Sequence, residues 1–263
     1  MIEKTITKTF RSRIWRPFIT AIKKYELIEE GDRIAVCISG GKDSMLMALL
    51  FKMLHRYSIF PFEAKYISMD PGYSSINRQR IIDNAAILGI PVEFFQTDIF
   101  AIANSADKSP CYLCARMRRG ALYSEAKKRG CNKIALGHHF SDVIETTVMA
   151  MFYGSQLQGM LPKLKSRNFE GMELIRPLYM VHEDDIIRWR DLNQLTFLRC
   201  ACRFTERNEH SHDGIGDSKR QEVKELIRSL KKTNPGIEKS IFNSLHAVNI
   251  ETFPGLKGGD KHY

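Results

Sequence analysis

The six residues Ser39-Gly40-Gly41-Lys42-Asp43-Ser44 put two glycines, a lysine and two hydroxyls into one short run. They follow an apolar stretch, residues 33–38, and precede a helical pattern over residues 45–57. Two glycines free backbone N–H groups to turn toward one point, and the helix that follows adds the partial positive charge of its N-terminus. That combination makes a cradle for an anionic pyrophosphate. Lys42 can neutralise phosphate charge, and Ser39 and Ser44 can donate hydroxyl hydrogen bonds to the same oxygens. A Walker A loop requires Ser or Thr directly after the lysine, where this chain has Asp43, and the run is not the GxGxxG fingerprint either. Without a ligand, the same residues would form a plain Gly-Gly turn between strand and helix.

A second polar run, Gly137-His138-His139-Phe140-Ser141-Asp142, also follows a short apolar stretch and also opens a helical pattern. Taken singly, His138 or His139 reads as a capped or core histidine. Strand ends of a parallel sheet share one crevice, however, so Asp142 and the two histidines become a second wall facing the first loop.

Six cysteines complete the inventory. Cys111 and Cys114 form a CxxC at the start of a predicted helix, followed by Arg116, Arg118 and Arg119. A helix N-terminus lowers thiol pKa. Cys200 and Cys202 form a distant CxC, while Cys37 and Cys131 sit in apolar runs and read as buried packing residues. Three chemistries fit the four remaining thiols: a zinc site held by all four, a redox-active CxxC alone, or a [4Fe–4S] cluster held by three cysteines.

The elements that must position these residues alternate regularly. Strands are predicted at residues 33–38, 63–69, 91–96 and 133–136, with a further one at 174–176, and helices at 45–57, 76–88, 113–129 and 143–152. Strands alternating with helices of this length give βαβ units, hence an α/β fold with a doubly wound parallel sheet, Rossmann-like in architecture. Residues 1–30 read as a helical lead-in, residues 31–207 as the catalytic domain, and residues 208–263 as a C-terminal helix, 217–232, with a Gly- and Lys-rich tail.

Composition bounds the function. The 263 residues are 43% hydrophobic and 27% charged, ordinary globular values. Forty Lys and Arg against thirty Asp and Glu leave a net charge of +10, which suits a polyanionic partner such as nucleic acid. No secretory signal is evident at the N-terminus, and the longest apolar stretch, residues 45–51, is far below a membrane span. A cytoplasmic address follows, and there paired cysteines are read first as metal or redox sites.

The run SGGKDS after an apolar strand resembles the PP-loop of the adenine-nucleotide α-hydrolase superfamily. The second run resembles the GHHxDD motif of the tRNA 2-thiocytidine synthetase family, TtcA. So do Met151-Phe152-Tyr153-Gly154, Gly159-Met160-Leu161-Pro162-Lys163-Leu164 and Ile175-Arg176-Pro177-Leu178. The similarity runs over residues 29–207, with two departures: Ser141 stands where the family has the first of two aspartates, and the later cysteine pair is CxC rather than CxxC.

The resemblance implies ATP with Mg2+, bound by Ser39, Gly40, Gly41, Lys42, Asp43, Ser44, Gly137 and His138, with Lys42, Asp43 and Asp142 catalytic. It favours a [4Fe–4S] cluster on Cys111, Cys114 and Cys202, the context Cys202-Arg203-Phe204-Thr205 ranking Cys202 above Cys200. The implied reaction is adenylation of the C2 oxygen of cytidine 32 in tRNA, then displacement of AMP by sulfur. Expected partners are tRNA and a sulfur donor, with room for a homodimer and none for a membrane. Arg116, Arg118, Arg119, Lys163 and Lys165 are the basic residues expected to meet tRNA. Two rivals stand beside this reading. One is 2-thiolation of a uridine, whose enzymes carry extra terminal zinc-binding cysteines that this chain lacks. The other is a zinc-stabilised nucleic-acid binding module without catalysis, which leaves both polar runs unexplained.

Overall fold

The computed structural model describes residues 2–57, 61–99, 110–198 and 215–252, with the backbone alone for 110–115 and 215–218. Its centre is a six-stranded sheet: β1 Arg33–Ile38, β2 Glu63–Asp70, β3 Val92–Gln96, β4 Lys133–Ala135, β5 Lys163–Lys165 and β6 Glu173–Ile175. The spatial order is β3-β2-β1-β4-β6-β5. All pairings are parallel except β5 with β6, which is antiparallel. The doubly wound α/β expectation therefore holds. β5 is an addition, a three-residue Lys-Leu-Lys edge strand too short and too polar to announce itself.

The described helices are α1 Ile2–Thr7, α2 Arg16–Lys24, α3 Lys42–Tyr57, α4 Ser75–Leu88, α5 Pro110–Lys128, α6 Phe140–Gly154, α7 Glu183–Leu192, α8 Ile215–Thr233 and α9 Ile237–Ser244. The lead-in is not one helix: a π-helical turn, Arg11–Trp15, separates α1 from α2. Pro17 follows directly, in the first turn of α2.

Residues 44–51 of α3 are all buried, so this helix is apolar all round rather than along one stripe. One side lies on β1 and β2. The other is capped by the lead-in, where Phe18 meets Phe51 edge-on at 6.1 Å and Glu3 pairs with Lys52 and Arg56. Each such aromatic side chain contributes about 1.5–3 kcal/mol by leaving water. The result is a fixed base for the loop that opens α3. Cys37 and Cys131 are both buried, as their apolar settings suggested, and burial raises both thiols, Cys37 well above the usual cysteine range.

Two compact units emerge. One comprises residues 1–140 and 161–214, and includes the whole sheet. The other comprises residues 141–160 and 215–263. Inside the second, Val143, Ile144 and Val148 of α6, Val223 and Ile227 of α8 and Phe242 of α9 are buried. No helix among the described residues is long and apolar enough to cross a membrane.

Candidate functional site

β1 has β2 on one side and β4 on the other, and the chain reverses direction across the sheet at that point. In open α/β sheets the loops leaving such a pair of strands border the ligand crevice. Here those loops are residues 39–41 and 136–139, the two polar runs singled out by sequence.

The first loop is built to touch its neighbours through backbone. Gly40 has φ +82°, and a Cβ there would lie 2.7 Å from Ile81 Cγ1 and 2.9 Å from Leu198 Cδ1. Only glycine satisfies both the left-handed conformation and the close approach. A Cβ on Gly137 would lie 3.1 Å from the Ser44 nitrogen, so the second loop packs on the first turn of α3. Ser44 is buried rather than presented to solvent. Its hydroxyl accepts from the Ser39 N–H and the Ser39 hydroxyl, both at 3.1 Å, and donates to the Gly41 carbonyl at 3.0 Å. Both serines therefore shape the loop from within.

Lys42 opens α3, and its ammonium lies 3.1 Å from Asp43 Oδ2 and 3.0 Å from Glu183 Oε1. Burial pulls the Lys42 pKa down, but the Asp43 and Glu183 carboxylates outweigh it and hold the ammonium above the usual lysine value. Asp43 Oδ1 is buried, accepts no hydrogen bond among the described residues, and faces His139 Nε2 at 3.7 Å. His139 is buried and His138 half-buried. Phe140 anchors this loop: its N–H donates to the Val181 carbonyl at 2.9 Å and its ring meets the His182 ring at 4.2 Å.

A cleft of about 540 Å³ opens beside Gly41, Lys42 and Asp43, with Glu183 and Arg190 of α7 on one side and residues 195–198 over it. That is the size of an ordinary small-molecule site. Leu198 donates its N–H to the Gly40 carbonyl at 3.1 Å. The segment leading toward Cys200 and Cys202 is thus fastened to the phosphate loop.

Other expected site residues fall as follows. Asp142 stands on the first turn of α6 in the second unit, 3.8 Å from Arg220, which also reaches Glu145 at 3.4 Å. Cys111 and Cys114 lie one turn apart at the start of α5, whose backbone alone is described there. Cys200 and Cys202 lie outside the described residues. No group of three or more His, Cys, Asp or Glu side chains gathers around a metal-sized space among the described residues. Arg116 and Arg119 are exposed on α5. Lys163 is committed elsewhere, to Glu29 at 2.9 Å, the Glu26 carbonyl at 2.9 Å and Glu173 at 3.4 Å.

Sequence reasoning passed over Glu183, Arg190 and Leu198. The available signal for Glu183 was the acidic run Glu183-Asp184-Asp185 in the first turn of α7. Acidic residues are common in that position for electrostatic reasons alone, so the run did not stand out.

The PP-loop domain model matches residues 12–202. A tRNA-cytidine(32) 2-sulfurtransferase from Geotalea uraniireducens is 36% identical over 252 residues, covering 94% of each chain. Another from Geotalea daltonii is 37% identical over 252 residues with the same coverage. Among solved structures, the U34-tRNA thiolase NcsA from Methanococcus maripaludis with its [4Fe-4S] cluster matches with a TM-score of 0.67 at 21% identity, over 89% of this chain and 79% of that one. That likeness concerns the fold. On the match to the domain and the near full-length relatives, the chain belongs to the PP-loop family and, within it, to the tRNA-cytidine(32) 2-sulfurtransferases.

Proposed function

We propose that this chain is an ATP-dependent tRNA thiolase that replaces the C2 oxygen of cytidine 32 with sulfur. An amide-like oxygen leaves poorly until it is bonded to phosphorus, so activation must precede sulfur attack. The C2 oxygen attacks the α-phosphorus of ATP and pyrophosphate departs. Sulfur then attacks C2 and AMP leaves with the oxygen. The protein is placed in the cytoplasm, where its tRNA substrate resides, and a separate sulfur donor replenishes what each turnover consumes.

The loop of residues 39–44 binds the polyphosphate through backbone N–H groups and Lys42, with Gly137 and His138 forming the opposite wall. Ser39 and Ser44 act by holding the loop's shape. Asp43, whose Oδ1 is buried beside His139 without a hydrogen bond, is the carboxylate suited to the Mg2+ that accompanies ATP. Asp142, on the first turn of α6, is the further carboxylate to which the resemblance gives a catalytic role.

Cys111, Cys114 and Cys202 would hold a [4Fe–4S] cluster; thiolates are the donors such clusters take. When bound, the cluster supplies an iron without a protein ligand, at which sulfur can be held. The observation that carries this reading is the Leu198 N–H donating to Gly40 O. Cys202 follows Leu198 by four positions, so the chain between the proposed cluster ligand and the residue fastened to Gly40 spans at most about 14 Å.

The test is turnover by anaerobically reconstituted protein on unmodified tRNA with MgATP and sulfide, read by mass spectrometry of the released nucleosides. The expected product is 2-thiocytidine, formed only with ATP, lost in Cys111→Ser, Cys114→Ser and Cys202→Ser and retained in Cys200→Ser. Formation of 2-thiouridine instead would move the enzyme to the other substrate class. Stoichiometric zinc without iron in the anaerobic protein, with equal damage from both CxC serine variants, would overturn the sulfur-transfer mechanism.

A further inference from the structure

Lys42 is the side-chain cation that the phosphate loop itself offers, yet its ammonium already contacts two carboxylates. One ammonium against Asp43 and Glu183 leaves the cluster with a formal charge of −1 at the point where a polyphosphate is to sit. A triphosphate entering that arrangement meets repulsion, and the lysine meant to receive it is occupied. One carboxylate must therefore withdraw. Asp43 is the next residue in the loop, on the same first turn of α3, and stays wherever the loop stays. Glu183 comes from α7, 141 residues along the chain, at the end of a flexible side chain. It is also comfortable without Lys42, because the first turn of a helix stabilises a negative charge through its unpaired N–H groups.

We propose that Glu183 is a stand-in for nucleotide phosphate, a latch on Lys42 that MgATP displaces. The proposal rests on the reading of residues 39–44 as the triphosphate loop. Holding Lys42 this way keeps a partly buried ammonium paired between turnovers. It also lets ATP compete for the lysine rather than find it free, so a fraction of the binding free energy goes into breaking the pair. Nucleotide occupancy is thereby communicated to α7. That helix starts beside Val181 and His182, the residues on which Phe140 of the second loop is seated, and the chain beyond it returns to Gly40 at Leu198. Glu183 is on this account a positioning residue for Lys42, not a catalytic one.

The experiment is calorimetric titration of the Mg2+ complex of α,β-methylene-ATP, which cannot be cleaved between the α and β phosphates, into wild type, Glu183→Gln, Lys42→Ala and the double variant. If the latch is closed in about nine molecules of ten, opening it raises apparent affinity about tenfold. Glu183→Gln is therefore expected to bind about three- to tenfold more tightly than wild type. That gain should shrink in the Lys42→Ala background, since the pair it relieves is gone. Unchanged or weaker binding by Glu183→Gln, while Lys42→Ala weakens binding as expected, would overturn the latch alone. Wild-type affinity in Lys42→Ala would instead overturn the phosphate-loop reading. Hydrogen exchange on the wild-type protein gives a second measurement that needs no variant. On adding the same analogue, amides in the first turn of α7 should exchange faster while those of residues 39–44 become protected. Protection of both segments together would mean that Glu183 stays on Lys42 when nucleotide binds, and the proposal would fall.

Discussion

A methyl group on Gly137 would land 3.1 Å from the Ser44 nitrogen and 3.2 Å from the Asp43 carbonyl carbon. Backbone atoms cannot swing aside as a side-chain tip can, so Gly137→Ala must push the first turn of α3 by a few tenths of an ångström. Overpacking of this kind costs about 1–3 kcal/mol, and here the displaced atoms belong to the loop proposed to cradle phosphate. The expected outcome is a markedly raised KM for ATP in a protein whose circular dichroism is unchanged. A normal KM would show that the two loops do not depend on their contact. Lys42 and Ser44 should separate in the same spirit. Ser44→Ala strands the Ser39 N–H, a loss of about 1–3 kcal/mol, so thermal melting should fall along with ATP affinity. Lys42→Ala should weaken ATP binding and leave the melting temperature nearly intact, because its partners keep partial access to water. Equal melting temperatures for the two variants would contradict this division. Both polar runs were legible from sequence as loops between strand and helix, because each is bounded by an apolar stretch and a helical pattern. The inward role of Ser44 and the hold of Glu183 on Lys42 were not, because each depends on a contact that residue types alone do not specify.

At the scale of elements, the strands read best where they are long and buried. β1 has five of its six residues buried and was placed without error, whereas β5, exposed at the sheet edge, carries no apolar run to betray it. Helices extended earlier than expected: α3 begins at Lys42 and α6 at Phe140, because the polar loop residues themselves enter the first helical turn. The association of α6 with the C-terminal helices was not legible at all. It rests on Arg220 against Asp142 and Glu145, and on the Lys219 ammonium 4.9 Å over the Tyr153 ring, contacts between segments some seventy residues apart. Arg220 is substantially exposed, so the ion pairs themselves contribute at most about 1 kcal/mol. Their worth is orientation of Asp142. Arg220→Glu should therefore lower kcat severalfold while leaving the affinity for the ATP analogue unchanged, and Arg220→Lys should recover most of the rate. If Arg220→Glu turned over normally, α8 would have no part in placing that carboxylate.

For the molecule as a whole, the question is whether a net charge of +10 is a solvated surface or a recognition surface. The fold narrows the candidates, since Lys163 is held by Glu29 and Glu173 and Lys42 by Asp43 and Glu183, while Arg116 and Arg119 stand exposed on α5 directly after the CxxC. Cys111 and Cys114 of the proposed cysteine site open that helix, and a tRNA reaching them would meet its arginines. Each phosphate neutralised releases condensed counterions, so log affinity should fall against log salt with a slope of about −0.9 per contact on duplex and about −0.7 on single strands. Reversing Arg116 and Arg119 to glutamate should flatten the slope by about one to two and weaken tRNA binding at low salt, with the ATP analogue still bound as in wild type. Reversing Lys163 should disturb stability through its carboxylate partners and change the slope little. Filter binding across a salt series checks both. A slope that the arginine reversals leave untouched would assign the positive charge of α5 to solubility and move the search for the tRNA face to another surface.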